Sequence, residues 1–245
     1  MITLYTAPSM WGLPSISPAC MKLETWFRMA KLPYTTVVVT AQNFAIAPKG
    51  KIPFIDYQEK VFGDSTLIIE MFKEKEGIDL DANLTPTERA ISLAFRRMLK
   101  ENTYWGAVYI RYNMEENWRF YRRDVLASML GAEVPVEEWE PFVEEIRQST
   151  LSQIDAHGMG RHSEEEIVQI TCADLQALSD FLGDKPFFMG DNPTTLDATA
   201  YAYIGNFIKP PYKSPIVDHA LQLSNLCQHY ERMTQEFFSD RSLNP

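Results

Sequence analysis

Cysteine is scarce in this chain of 245 residues, which contains only 3, and they are far apart. No CxxC pair and no paired Cys/His spacing occurs, so the sequence predicts neither a disulfide framework nor a zinc site. The 4 histidines also lack ligand spacing to acids or cysteines, and we expect no metal. A reducing, cytoplasmic compartment fits this cysteine usage.

Positive charge is also in short supply, because 23 lysines and arginines stand against 33 acidic residues and leave a formal net charge of -10. Nucleic acids and anionic membranes are bound by basic surfaces, so neither is an expected partner. No run of about twenty apolar residues occurs, and no basic segment at the N-terminus is followed by an apolar core. We therefore expect neither a membrane span nor a secretion signal.

The chain does have 45% hydrophobic residues, enough for one large domain or two modest ones. Residues 1–78 alternate between short β-branched runs and amphipathic stretches. The predicted elements are a strand at 2–5, a helix from Pro18, a strand at 35–39, a short helix or irregular connection at 40–49, a hairpin of 51–57 and 60–64, and a helix at 67–75. This order predicts a thioredoxin-like α/β domain with a mixed four-stranded sheet.

The pattern changes beyond Gly77, where long helical periodicities replace strand signals. Residues 85–88, Thr-Pro-Thr-Glu, are typical of a helix start, so we place an all-helical domain at 85–245. The predicted helices cover 86–123 with a kink near Gly106, 136–156, 164–182, 194–207 and 216–238. No internal repeat or low-complexity linker separates the two halves, so we expect them to pack as one body.

A helix start at residues 15–20 carries the main functional signal. Pro18 is favoured in the first turn of a helix, which makes Ser17 the predicted N-cap. The unpaired N–H groups and the dipole of a helix start stabilise an anion and lower the pKa of a nearby thiol, and a serine hydroxyl can donate to the thiolate. The alternative for Ser17 is an ordinary helix cap.

Four segments together resemble the cytosolic glutathione transferase superfamily, whose members join a thioredoxin-like domain to an all-helical one. They are Ser17-Pro18-Ala19-Cys20, Lys51-Ile52-Pro53, Asp64-Ser65, and Thr194-Thr195-Leu196-Asp197 after Phe188-Met189-Gly190-Asp191. Their order and spacing carry the resemblance, which spans nearly the whole chain. Residues 11–18 and Leu23-Glu24 are also similar to the branch that includes failed-axon-connections and metaxin-like proteins.

The resemblance implies an enzyme that binds glutathione with its sulfur at the start of the first helix. Ser17 would stabilise the thiolate, and Ser15 is the alternative donor. Cys20 lies where a second redox cysteine would lie in a CxxC protein, but the first thiol is missing. Thiol-disulfide exchange is therefore disfavoured, and a packed, inert Cys20 is expected.

Ile52-Pro53 resembles the family's cis-proline turn, in which the backbone of the residue before proline pairs with the cysteinyl backbone of glutathione. An edge-strand proline is the alternative for Pro53. The resemblance also implies that Lys51, and less so Lys49, neutralises the glycyl carboxylate, unless both are solvated loop lysines.

Asp64 and Ser65 begin a helix, and the resemblance implies that Ser65 binds the γ-glutamyl carboxylate while Asp64 holds the ammonium group. The alternative is that the pair only caps the helix. Thr194 and Asp197 are assigned to structure, because a Thr-x-x-Asp arrangement satisfies the N–H groups of a helix start.

The implied second substrate is a small electrophile or a peroxide. Trp11, in the loop before the first helix, is predicted to line its pocket together with Tyr104 and Tyr112. Tyr112 belongs with Trp105 and Tyr109 to an aromatic stripe at helical spacing, and Tyr104 lies beside this stripe. Interior packing is the alternative for each member of the stripe.

The resemblance further implies a homodimer, on which the sequence itself gives no information. The rival interpretation is a non-catalytic protein that keeps this fold for ligand or protein binding. One structural feature separates the two: either Ile52, Asp64 and Ser65 converge on a site open at Ser17, or residues 10–14 fill that site.

Overall fold

The computed structural model describes residues 1–126 and 136–241. Its N-terminal part contains a sheet of strands β1 (Ile2–Thr6), β2 (Tyr34–Val38), β3 (Phe54–Tyr57) and β4 (Lys60–Gly63). The strand order is β2-β1-β3-β4, with β1 parallel to β2 and antiparallel to β3, and β3 antiparallel to β4. The predicted mixed four-stranded sheet is confirmed.

Three helices complete this domain: α1 (Pro18–Met29), the short α2 (Ala41–Phe44) and α3 (Ser65–Glu76). Side chains of β1 alternate between buried and half-buried positions, as expected for a sheet with one covered face. The buried face packs against apolar residues of α1 and α3 in one core. The core residues from α1 are Leu23, Trp26 and Phe27.

The C-terminal part of the described chain is helical. Its helices are α4 (Pro86–Met98), α5 (Tyr104–Tyr112), α6 (Glu115–Tyr121), α7 (Val136–His157), α8 (Glu164–Leu182), α9 (Thr195–Ile208), α10 (Pro215–Gln222) and α11 (Ser224–Phe237), with π-helical turns at Leu99–Thr103 and Arg122–Leu126. The thioredoxin-like plus all-helical fold class is therefore confirmed. The domain division at residues 78–85 stays a prediction; it falls between α3 and α4. Within the described residues, no helix is both long and apolar enough to cross a membrane.

The prediction of one helix over 86–123 with a kink at Gly106 is wrong. The π-helical turn Leu99–Thr103 interrupts the α-helix, and the helical conformation is lost again at Met114, whose backbone is extended. Gly106 serves close packing instead, because a Cβ added there would lie 2.2 Å from the hydroxyl oxygen of Thr171.

The prediction of one helix over 216–238 is also wrong, since Leu223 separates α10 from α11. The first turn of α11 is anchored to α8 through Asn225, whose side-chain amide donates to the carbonyl oxygens of Ser179 at 2.9 Å and Gly183 at 3.2 Å. This anchor comes from α8, which no local pattern reveals.

Helix α1 is buried on both sides, because α9 packs against the side that the sheet domain leaves open. Two charged residues of α1, Lys22 and Glu24, are therefore buried as well, with only 4% and 0% of their surface exposed. Glu24 accepts from the Tyr34 hydroxyl at 2.9 Å and pairs with Arg241, so its charge is compensated inside the protein.

The start of α9 is held by Asp197, which is fully buried. Its carboxylate accepts from the Thr194 N–H and hydroxyl, both at 2.8 Å, and from the Phe188 N–H at 2.9 Å, and it lies 2.9 Å from Nε2 of His229. The structural role predicted for Thr194 and Asp197 is confirmed.

Asp197→Ala should therefore lower the free energy of unfolding by about 3–5 kcal/mol, because several buried partners lose their acceptor together. Glu88→Ala is the matched control, since Glu88 closes the same kind of capping box on α4 but is only partly buried. Urea unfolding of both variants checks this. Equal losses in the two variants would contradict a buried anchoring role for Asp197.

Candidate functional site

A cleft of about 420 Å³ lies between the sheet domain and the helical domain. The predicted site residues that line it are Ser17, Lys51, Ile52, Pro53, Asp64, Ser65 and Tyr104, together with Lys49. The helical domain also contributes Trp105, a member of the predicted aromatic stripe, and four residues that were not predicted from the sequence, namely Lys100, Glu101, Gln153 and Tyr203. Segments that are distant in the sequence thus meet on one surface.

Ser17 is the N-cap of α1, and its hydroxyl oxygen accepts the N–H of Cys20 at 3.4 Å. Ser15, the alternative donor, is fully buried and lies off the cleft. Its hydroxyl donates to the Ala7 carbonyl at 3.1 Å and accepts from the Thr6 hydroxyl at 3.2 Å, so it holds the loop before α1. Of the two serines, only Ser17 faces the cleft.

Cys20 lies behind Ser17 and is fully buried. Burial raises the pKa of its thiol, an effect that hydrogen bonds with Ser17 and the Ala7 backbone only partly offset. The thiolate is the reactive form of cysteine, so this thiol is unreactive at neutral pH. This agrees with the expectation of a packed, inert cysteine.

The loop before β3 forms one wall of the cleft, and the Ile52-Pro53 peptide bond is cis, as the resemblance implied. Lys51 reaches across the cleft, where its ammonium group donates to Oε1 of Gln153 on α7 at 2.8 Å. This hydrogen bond joins the two domains at one end of the cleft.

Asp64 caps α3 with an unusual backbone conformation, a φ of 76°. One carboxylate oxygen accepts from the N–H groups of Thr66 at 2.8 Å and Leu67 at 3.2 Å, and the other lies 3.3 Å from Nζ of Lys100. Burial opposes ionisation, but these N–H groups and Lys100 together hold the pKa of Asp64 below its usual range. The carboxylate is therefore charged, and one of its two oxygens already accepts a hydrogen bond from Lys100.

The aromatic residues divide between two places. Tyr104 and Trp105 line the cleft, and the Trp105 ring stacks on His157 with centroids 4.6 Å apart. Burial raises the pKa of Tyr104, so its phenol is protonated at neutral pH. Tyr203 on α9 also lines the cleft, and burial raises its pKa as well.

The other two predicted pocket residues do not line this cleft. Tyr112 is buried in the helical domain, where its hydroxyl donates to that of Tyr121 at 3.2 Å. Trp11 packs edge-on against Tyr212, with centroids 5.6 Å apart. Residues 10–14 turn back on themselves against the helical domain and leave the cleft open at Ser17.

The cleft residues that were not predicted have no local sequence pattern that would identify them as part of the site. Lys100 and Glu101 lie on the π-helical turn before α5, so the phase of an ordinary helix does not predict which way they face. Gln153 and Tyr203 reach the cleft only through packing of α7 and α9. Over residues 1–126 and 136–241, no group of three or more His, Cys, Asp or Glu residues is placed to hold a metal ion.

Two family models match the chain: the glutathione S-transferase N-terminal domain over residues 18–117 and the C-terminal domain over residues 171–233. The isoprene-epoxide glutathione S-transferase of Rhodococcus sp. is 33% identical over 243 residues, 97% of this chain and 99% of that protein. Failed axon connections of Drosophila melanogaster is 34% identical over 236 residues, 93% of this chain but 56% of that protein.

Among solved structures, a glutathione S-transferase of Methylobacterium radiotolerans in complex with glutathione sulfonate aligns with a TM-score of 0.60 at 16% identity, covering 98% of this chain and 93% of that one. At this identity the likeness concerns the fold. The resemblance to the branch that contains failed axon connections is confirmed by the sequence relatives. With family models over both halves and a 33% identical relative of the same length, the chain belongs to the glutathione S-transferase family.

Proposed function

We propose that this protein is a glutathione transferase that binds glutathione in the interdomain cleft, stabilises its thiolate at Ser17 and transfers it to a small electrophile or a peroxide. One observation carries the proposal: residues from the start of α1, the loop before β3 and the start of α3 line the same cleft, and residues 10–14 do not fill it. An unrelated use of the fold does not require these segments to share one open cleft.

The hydroxyl of Ser17 is suited to a thiolate. Because its oxygen accepts the N–H of Cys20, its own proton can be donated to the sulfur of a ligand. The first turn of α1 has no acidic side chain, so no fixed negative charge on that turn opposes the anion. A free thiol ionises near pH ~8.5, and the helix start would bring the pKa of the bound thiol closer to neutrality.

The ends of glutathione have complementary groups elsewhere on the cleft. Ser65, the first residue of α3, would receive the γ-glutamyl carboxylate with help from backbone N–H groups, and Asp64 would receive the ammonium. Lys51 would pair with the glycyl carboxylate, exchanging Gln153 for a charged partner.

Tyr104 gives the second substrate a donor. Its protonated phenol on the cleft can donate to an oxygen that gains negative charge as an electrophile opens. The name of the 33% identical relative makes an epoxide the first electrophile to test.

A specific observation favours the non-catalytic alternative. Lys100 is bound to Asp64 at 3.3 Å, the carboxylate that the ammonium of glutathione needs. In a protein that keeps the fold for another ligand or partner, this ion pair would stay closed. The affinity for glutathione decides between the two functions.

Asp64→Asn should weaken glutathione binding about ten-fold to a hundred-fold, because a hydrogen bond to a charged group is worth about 1.5–3 kcal/mol. Asparagine keeps the cap of α3, so the loss reports on charge rather than folding. Calorimetric titration measures the affinity, with Asp56→Asn on β3 as the charge-matched control. An unchanged affinity in Asp64→Asn would exclude this placement of the γ-glutamyl group.

Ser17→Ala should lower turnover about tenfold or more while leaving the affinity for glutathione nearly unchanged, because the hydroxyl matters most to the ionised sulfur. The pKa of bound glutathione, followed by ultraviolet thiolate absorbance, should rise in the variant. Ser9→Ala, a change in the same loop but off the cleft, is the control. The same pKa in wild type and Ser17→Ala would reduce Ser17 to a helix cap.

We also propose a homodimer, because members of this family commonly pair the sheet domain of one subunit with the helical domain of the other across a two-fold axis. We place α4, the first helix of the helical domain, at the contact surface, where Leu93 is 46% exposed. Sedimentation at micromolar concentration should give about twice the monomer mass of 28.2 kDa. Leu93→Glu should shift the protein to monomer, whereas Leu221→Glu, at a residue 52% exposed on α10, should not. A wild type that sediments as a monomer would refute the dimer.

A further inference from the structure

A cluster of positive charge lies beside the cleft, near the start of α3. Lys22, Arg96, Arg97 and Lys100 line one small cavity between α1, α3, α4 and α9. The rest of the lining consists of the hydroxyls of Thr66, Thr195 and Thr199 and the apolar side chains of Ile69 and Leu93. In a chain with a net charge of -10, such a concentration of cations is unlike the average surface.

Lys22 is the deepest of these cations and only 4% exposed. Its ammonium group donates to the hydroxyl of Thr66 at 3.1 Å, and among the described residues no carboxylate lies within ion-pair distance of it. Burial, followed by the charge of Lys100, lowers the pKa of Lys22 to about 7, although Asp64 acts in the opposite direction. A buried cation without an anion is costly, so Lys22 is only about half protonated at neutral pH, and a bound anion would favour its charged form.

The remaining cations are only partly neutralised by the acids near them. Nε of Arg96 is buried without a hydrogen-bond partner, and the described chain offers Arg96 no ion pair. Arg97 and Lys100 share Glu101 at 3.5 and 3.8 Å, and Lys100 also pairs with Asp64. The cluster keeps an excess of positive charge directed at one cavity.

We propose that this cavity binds one small inorganic anion of the size of chloride. The cavity measures about 20 Å³, which is room for a single water-sized group. Lys22 and Arg96 supply the charge. Thr66 can add a hydrogen bond, because it accepts from Lys22 and keeps its own proton to donate.

The anion site is connected to the cleft through two residues. Lys100 lines both cavities, and the Thr66 N–H donates to the Asp64 carboxylate at 2.8 Å. An anion that attracts Lys100 would release one oxygen of Asp64 for the ammonium of a ligand. This coupling rests on the proposed glutathione site; the anion site itself does not.

The first experiment measures the melting temperature of the whole protein while chloride replaces gluconate at constant ionic strength. The wild type should show a saturable increase, because a ligand that binds only the native state stabilises it. Lys22→Met and Arg96→Gln should each raise the half-saturating chloride concentration about tenfold or more. Arg119→Gln, which removes a 76% exposed arginine from α6, should leave it unchanged.

A wild type without saturable chloride dependence, as expected if the cavity holds only water, overturns the proposal. A dependence that survives in Arg96→Gln overturns it as well, and this variant decides the matter if Lys22→Met does not fold. Phosphate should stabilise less than chloride because it is larger, and stronger stabilisation by phosphate would refute the assignment. Unchanged sedimentation of each variant separates loss of the anion from loss of assembly.

Crystals grown in bromide give the position directly. An anomalous peak within about 3.5 Å of Nζ of Lys22 supports the site, and a peak only elsewhere on the protein overturns it. Glutathione should bind several-fold more tightly in chloride than in gluconate, and equal affinities would refute the coupling. If glutathione does not bind at all, the proposed function fails, whereas the chloride dependence of the melting temperature still tests the anion site.

Discussion

The organisation of the molecule depends on the burial of α1 between two layers. Leu23, Trp26 and Phe27 pack in the core of the sheet domain, and α9 covers the opposite side. A helix held in this way has its unpaired N–H groups fixed at one position, and that position is the cleft between the domains. The location of Ser17, and with it the chemistry of the site, follows from this packing.

The cleft is shared by the two domains, and polar side chains already cross it. Lys100 binds Asp64 at 3.3 Å and Lys51 binds Gln153 at 2.8 Å. A ligand with both ammonium and carboxylate groups would replace these contacts with its own, so its affinity is the difference between two sets of charged hydrogen bonds. In the proposed function, the helical domain would therefore influence binding of the ligand as well as the choice of electrophile.

Much of the N-terminal domain could be predicted from the sequence, because its signals are local. The proline that follows Ser17 and the capping residues at Asp64 each identify a helix start without reference to the rest of the chain. The breaks in the second domain could not be predicted, because distant contacts cause them: Asn225 is anchored on α8.

The direction in which side chains of the helical domain face could not be predicted from the sequence either. Trp105 and Tyr112 share an aromatic stripe, yet Trp105 lines the cleft while Tyr112 packs against Tyr121 in the interior. Spacing identifies the face of a helix but not its neighbour, and the π-helical turn Leu99–Thr103 changes the phase just before this stripe. The position of Lys100 on the cleft could not be predicted for the same reason, because Lys100 lies on this π-helical turn. Its contact with Asp64 depends on the packing of the folded chain.

The central claim concerns the position of one sulfur atom, and a crystal structure of the wild type with glutathione tests it most directly. The account predicts the sulfur within about 3.5 Å of the hydroxyl oxygen of Ser17, with the γ-glutamyl end at Ser65 and Asp64. A complex in which the sulfur lies away from the start of α1, or in which Lys100 still closes Asp64 and the cleft stays empty at saturating glutathione, would contradict it.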